Sequence, residues 1–209
     1  MIADRYWFDE AGHSGLNNRM ISALLLAAGE SRRMGSFKQL LIFEGKTFVE
    51  RCADELLASA VGEVIVVTGH READVRRAVG GRPVRFAHNA DYKLGMSYSL
   101  KRGLAAVTDG ADAVLIALVD QPQITTAIFD EVIDTYRNHR PLLVVPSYAG
   151  RNGHPIIVDM KLREEVLAMD PEQGLRRVVR AHAGDTIHVE VGTDLILKDF
   201  DYPEDYRRE

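Results

Sequence analysis

A chain of 209 residues, 46% hydrophobic and 27% charged, is long enough for one large domain with a substantial buried core, and its composition is that of an ordinary globular protein. A formal charge of −5 argues against general nucleic-acid binding, which rests on Lys/Arg electrostatics, but leaves room for a small phosphorylated ligand held by a local cationic cluster. The single cysteine, Cys52, excludes an intramolecular disulfide and fits a reducing, cytoplasmic setting, and no apolar run reaches the roughly 18 residues of a membrane span.

Residues 1–19 contain Asp4, Arg5, Asp9 and Glu10 and no hydrophobic stretch, so they do not read as a secretory signal. They are expected to be a poorly ordered leader or extension beside a single domain spanning 20–209. Ile21–Ala27 (ISALLLA) is almost continuously apolar, as in a strand covered on both faces. Thr47 and Glu50 have capping-box spacing, and Phe48, Cys52 and Leu56 then repeat along one helix face, which places Cys52 in the core. Val64–Thr68 predicts a second buried strand, 72–79 a short charged helix, and 84–87 a third strand. Met96, Leu100, Leu104 and Val107 mark another helix, Ala113–Val119 a central strand, Ile128, Val132 and Tyr136 a further helix, and Leu142–Val145 a further strand. The last third is less regular. Pro155–Val158, helices over 162–168 and 174–182, and a strand over 186–191 are expected to add mixed strands that build one wall of a site.

This alternation predicts an α/β fold with right-handed βαβ crossovers: a three-layer, Rossmann-like arrangement with a mostly parallel central sheet. Ligands of such sheets bind outside the carboxyl ends of the strands, so the loops that follow strands carry the functional signal.

The first such loop, Leu26 to Lys38 (LAAGESRRMGSFK), combines the small residues Ala27, Ala28, Gly29, Ser31 and Gly35 with Arg32, Arg33 and Lys38. Small residues let backbone N–H groups approach phosphate oxygens, and the cations neutralise them. Glu30 and Ser31 follow Gly29, so the G-x-G-x-x-G dinucleotide fingerprint fails, which disfavours a nicotinamide oxidoreductase. No Gly-Lys-Ser/Thr occurs, which excludes a Walker A loop. The pattern L-A-A-G-x-S-x-R-M-G-x-x-K resembles the signature loop of the molybdenum cofactor nucleotidyltransferases, a branch of the wider NTP-transferase (GT-A-like) fold, and the resemblance runs from about Ile21 to Tyr206. It implies a loop backbone that holds NTP phosphates, Arg33 on the β and γ phosphates, and Lys38 on the α-phosphate. The chemistry agrees, because fixed cations stabilise the charge that gathers on phosphorus-bound oxygens during transfer.

Asn89 follows the third strand, and Gly95-Met96-Ser97-Tyr98-Ser99-Leu100 opens a helix whose first N–H groups are free. This block resembles the cytidylyltransferase branch, which implies that Asn89, Gly95, Met96 and Ser97, with Thr68 from the end of the second strand, contact the nucleotide. Helix capping is an equal reading for Ser97 and Ser99, and core packing for Met96. The guanylyl branch reads L-A-G-G where this chain has Leu26-Ala27-Ala28-Gly29, which favours CTP over GTP.

Asp120 ends the most apolar strand, where a hard Mg²⁺ finds a carboxylate and keeps other positions for triphosphate and water. The tail Asp199-Phe200-Asp201-Tyr202-Pro203-Glu204-Asp205 resembles the family's D-I-D-T-P-E-D ending, which implies that Asp201 completes the metal site; Tyr202 departs from the usual threonine. Gly150-Arg151-Asn152-Gly153-His154-Pro155 resembles a block beside the acceptor and implies roles for Gly153 and His154. Asp170 to Arg176 only approximates the family's G-D-x-G-A-R element, so Arg176 is the weaker acceptor contact. Together these resemblances imply transfer of CMP from CTP to the phosphate of molybdopterin, with release of pyrophosphate and delivery to a molybdoenzyme or its chaperone. A sugar or polyol phosphate acceptor, GTP as donor, and a non-catalytic nucleotide-binding module are the alternatives.

Overall fold

The computed structural model describes residues 19–206, so the expected leader lies outside the described residues except for Arg19, whose guanidinium pairs with Asp112 at 3.1 Å. Every residue of β1 (Ile21–Leu26) is buried, which explains a run with no polar alternation: the strand lies inside the sheet with helices over both faces. Ile21, Ala23 and Leu25 point to one core and Leu24 and Leu26 to the other, as the two-residue period of a strand requires.

A short hairpin, β2 (Ile42–Phe43) and β3 (Lys46–Thr47), leads into α1 (Phe48–Ala58), where Thr47 and Glu50 form the expected reciprocal capping box. There follow β4 (Glu63–Thr68), α2 (Glu72–Val79), β5 (Arg85–His88), α3 (Met96–Ala105), β6 (Ala113–Leu118) and α4 (Thr126–His139). The last third adds β7 (Leu143–Tyr148), β8 (Arg151–Asn152), β9 (Ile156–Asp159), α5 (Arg163–Ala168), α6 (Gly174–Ala181), β10 (Thr186–Glu190) and α7 (Pro203–Tyr206). The main sheet runs β10-β7-β9-β6-β1-β4-β5, with β8 paired to β7. It is parallel except for β9, which runs antiparallel to both β6 and β7, and β8, so the mixed character expected of the last third is present. One core holds α1, α4, Cys52 and Phe200, and the other holds α3, α5 and Val178 of α6.

From β1 the chain builds outward through β4 and β5, then returns to lay β6 on the other flank of β1, with Leu26 opposite Leu118. The switch in direction falls between β1 and β6, and it sets the loop after Leu26 beside the loop after Leu118. That is where an open α/β sheet presents its crevice. Among the described residues no helix is long and apolar enough to cross a membrane.

Candidate active site

The loop after β1 is closed by a residue its own motif does not include. Gln39 is buried, and its side-chain amide donates to the carbonyl oxygens of Ala27 at 3.0 Å and Gly29 at 2.9 Å. Ser31, at φ +56°, accepts from the Lys38 N–H at 3.1 Å and donates to Gln39 Oε1 at 3.2 Å. Gly35, at φ +68°, takes a turn conformation that costs a side-chain-bearing residue about 1 kcal/mol. On the far side, the His70 N–H donates to the Ala28 carbonyl at 3.0 Å, the Phe37 and His70 rings meet edge to face at 5.6 Å, and Arg71 lies 4.7 Å over Phe37. Gly69 is needed here, because a Cβ would come within 2.8 Å of the Ala28 carbonyl. The loop is held from both sides.

The brace delivers Lys38 on a single 3₁₀ turn, Lys38–Leu40, with the residue only 7% exposed. Its ammonium donates to Asp120 Oδ2 at 3.2 Å and to Asp201 Oδ1 at 2.5 Å, and Arg33 Nη1 lies 3.1 Å from the other oxygen of Asp201. A buried ammonium is tolerable only with such partners. The Lys38 hydrogen bond, with its charge, holds the Asp201 carboxyl below the usual carboxylate range. The C-terminal segment that carries Asp201 is fastened to the Asp120 loop: Gln121 Nε2 donates to Asp199 Oδ1 at 2.9 Å, and Gln123 Nε2 donates to the Lys198 carbonyl at 2.7 Å. Loss of water, then the nearby Asp120 charge, push the Asp199 carboxyl upward. Asp205 accepts from the N–H groups of Asp201 and Tyr202 at 3.0 and 2.8 Å, so the tail keeps its turn without the expected threonine, and Tyr202 is exposed.

Two openings meet at this point. A cleft of about 140 Å³ is lined by Ala28, Gly29, Ser31, Lys38, Ser99 and Asp120, among others. A larger cavity of about 550 Å³ includes Ser97, Gly153, His154 and Arg176 in its walls, and Leu26 and Met96 line both. The structure therefore gathers Ala28, Gly29 and Ser31 of the loop with Lys38 and Asp120 in one cleft, and Gly153, His154 and Arg176 in a second; Ala27, Gly35 and Arg33 do not line the first, Ala27 being fully buried and Arg33 lying on Asp201. Ser97 belongs to the second, and its hydroxyl donates to the Pro171 carbonyl at 2.8 Å. Ser99 faces the first, and its hydroxyl accepts from Asn89 Nδ2 at 3.0 Å. Asn89 is itself buried, with Oδ1 accepting from the Asp91 N–H at 3.0 Å, so it lies behind Ser99 rather than in the cleft wall. Thr68, expected to face the crevice, is 0% exposed and is not brought to the surface: as the last residue of β4 its side chain points into the protein. Gly95, at φ +119°, supplies the turn before α3 that only glycine adopts readily.

Gly153 lines the larger cavity and also admits the chain itself, since a Cβ there would collide with the Ile196 carbonyl. His154 follows, with its N–H on the same carbonyl at 3.3 Å, and burial lowers its imidazole pKa to about 4. A neutral imidazole in this wall donates or accepts a hydrogen bond and does not serve as a cation. The cationic member of the cavity is Arg176, in the first turn of α6.

The sequence profile of the MobA-like NTP transferase domain matches residues 23–187. Nicotine blue oxidoreductase of Paenarthrobacter nicotinovorans is 32% identical over 154 residues, covering 70% of this chain and 74% of that protein. Molybdenum cofactor cytidylyltransferase of Escherichia coli K12 is 28% identical over 187 residues, covering 89% and 93%. Among solved structures, Rv0371c of Mycobacterium tuberculosis H37Rv superposes with a TM-score of 0.80 at 26% identity, covering 91% of this chain and 96% of that one. A complex of the same protein with manganese gives 0.72 at 25% identity, covering 90% and 97%.

Proposed function

The chain belongs to the MobA-like NTP transferase family and is a nucleotidyltransferase; within that family we propose that it transfers CMP from CTP to the phosphate of molybdopterin and releases pyrophosphate. The observation that carries this reading is the Lys38 ammonium held between Asp120 and Asp201 beside the loop after β1.

The same observation tests the site for a divalent cation. Two carboxylates that share one ammonium, at 3.2 and 2.5 Å, converge closely enough to hold a single positive charge between them. Mg²⁺ is a hard cation that takes carboxylate oxygens and keeps places for water and phosphate oxygens, so two carboxylates and a triphosphate would satisfy it. Asp120 and Asp201 would hold it, and when bound it would neutralise charge on the triphosphate. A relative characterised with manganese supports a divalent-metal reading.

The remaining work falls to the chain. The loop from Ala27 to Gly35 cradles the phosphates, and Arg33 neutralises the outer two. The acceptor phosphate, already anionic at pH 7, attacks the α-phosphorus in line, so that a new P–O bond forms as the bond to the pyrophosphate oxygen breaks. Lys38 stabilises the charge on the α-phosphoryl oxygens. No protein nucleophile is required, and catalysis rests on positioning and electrostatics. The cavity bearing His154 and Arg176 takes the acceptor, and Ala28 narrows the donor cleft toward a pyrimidine. The product would pass to a molybdoenzyme or its chaperone in the cytoplasm.

One relative favours a second reading, in which the cleft serves an oxidoreductase reaction, as the name nicotine blue oxidoreductase says of that protein. Pyrophosphate release with each of the four NTPs and Mg²⁺, with and without molybdopterin, separates the readings. Release with CTP that depends on molybdopterin supports the transfer. Release that depends instead on a sugar or polyol phosphate reassigns the acceptor. Nucleotide binding without release points to a non-catalytic module, and oxidation of NADH or NADPH without release sinks the proposal.

A further inference from the structure

Lys38 has a second task in this site, set by what its ammonium already touches. It donates to Asp120 at 3.2 Å and to Asp201 at 2.5 Å, while Arg33 donates to the second Asp201 oxygen at 3.1 Å. The ammonium is buried, so bulk water does not readily replace either carboxylate. Carboxylate oxygens engaged by an ammonium cannot coordinate a divalent cation through the same lone pairs, and the ammonium charge repels such a cation at short range. Conversely, an ammonium neutralised by two carboxylates is a poor partner for a phosphate oxygen. The groups proposed for metal and for phosphate thus engage one another through Asp120 Oδ2 and both Asp201 oxygens.

From this mutual engagement we infer that Lys38 is an internal counter-cation that couples the two ligands of the donor site: a triphosphate draws Lys38 and Arg33 off the carboxylates, which are thereby freed for a divalent cation. The inference rests on the nucleotidyltransferase reading of this cleft and adds a property to it. Free cation and free nucleotide are each weak ligands, because each must break the Lys38 contacts alone, whereas together they bind tightly and reciprocally. Only the complete metal–triphosphate pair then fills the site.

Mn²⁺ is the probe, followed through the electron paramagnetic resonance signal of the free aquo ion, with wild type, Lys38→Met, Lys38→Gln, Asp120→Asn and Asp201→Asn compared after thermal melting has shown each to be folded. Lys38→Met and Lys38→Gln should bind Mn²⁺ alone at least tenfold more tightly than wild type. Addition of α,β-methylene-CTP should tighten Mn²⁺ on the wild type, beyond chelation by the analogue in solution, by a larger factor than on Lys38→Gln. The wild-type measurement stands even if both Lys38 variants fold poorly, and absence of tightening there overturns the inference. If the two aspartate variants lose Mn²⁺ but neither Lys38 variant gains affinity, the metal site stands and the coupling alone is refuted. If the aspartate variants bind Mn²⁺ as wild type does, the site assignment fails and the inference falls with it.

Discussion

The N–H of Phe200 donates to the carbonyl oxygen of Asp120 at 3.0 Å, so a backbone contact joins the residue that bears one carboxylate, beyond the tip of β6, to the segment that bears Asp201, beside the Gln121 and Gln123 bonds. Phe200 is buried against Phe48 and Phe43, with ring centroids 5.1 and 5.9 Å away, and this packing anchors the contact. Phe200→Ala should cost about 3–5 kcal/mol by chemical denaturation, as large-to-small core changes do, and should also weaken Mn²⁺ binding. Phe200→Leu should recover most of both. A variant that loses stability but keeps full Mn²⁺ affinity would show that Asp201 finds its place without the aromatic anchor.

Asp120 and Lys38 separate two roles. Asp120→Asn keeps the shape and removes a charge, so it should reduce turnover by at least about a hundredfold while the melting temperature stays near that of wild type. Lys38→Ala should lower kcat by about 10²–10³ and change the KM for CTP much less, because the ammonium stabilises charge that develops only during transfer. Steady-state kinetics decide: a Lys38→Ala enzyme with normal kcat and a raised KM has lost only a binding contact.

His154 gives a pH prediction whose sign follows from its burial. Its imidazole has a pKa of about 4 in the folded chain, against about 6.5 when unfolded, so protons bind the unfolded chain more readily. The fold is unaffected by this group above about pH 6.5 and loses stability as pH falls from there toward 4. His154→Gln should therefore flatten the fall of melting temperature across that range. It should also raise the KM for the acceptor severalfold while leaving the pH profile of kcat above pH 6.5 unchanged. An inflection near 6.5 in wild-type kcat that vanishes in His154→Gln would mean that the imidazole titrates in the working range.

Much of the architecture was legible because strongly periodic segments leave little choice: β1 is apolar on both faces, and Thr47 with Glu50 caps α1 as their spacing implies. The crevice was legible for the same reason, since the loops ending in Lys38 and beginning at Asp120 both follow apolar strands. Mixed strands were expected in the last third, but which of them runs antiparallel was not legible. Ile156–Asp159 is buried whichever way it runs, so nothing in its residues marks β9 as antiparallel. Side-chain facing at the ends of elements was equally hidden. Ser97 and Ser99 differ by about 200° around α3, so one meets the larger cavity and the other the smaller cleft, and the helix phase decides which. Thr68 shows the strand version of the same ambiguity, where a shift of one residue reverses the face. Gln39 braces the loop after β1 through Ala27, Gly29 and Ser31 a few residues before it, and Phe37 meets His70 from a distant strand end, but a lone glutamine or aromatic carries no signature of either contact.

The choice of base tests the loop at atomic scale. Ala28 is buried in the wall of the smaller cleft, and its Cβ lies beside Gly69, where a further Cβ would come within 2.9 Å of it. Ala28→Gly should widen the cleft and raise the ratio of kcat/KM for GTP over CTP by about tenfold, the lower end of what one methyl group achieves in a tight pocket. Glycine also loosens the unfolded chain and should cost about 0.5–1 kcal/mol of stability, so the ratio between donors, rather than the rate with either alone, is the readout. A ratio that stays at the wild-type value would move base selection away from the loop. It would then fall to the Ser99 hydroxyl, whose oxygen accepts from Asn89 and which keeps its proton and a second lone pair to offer a base.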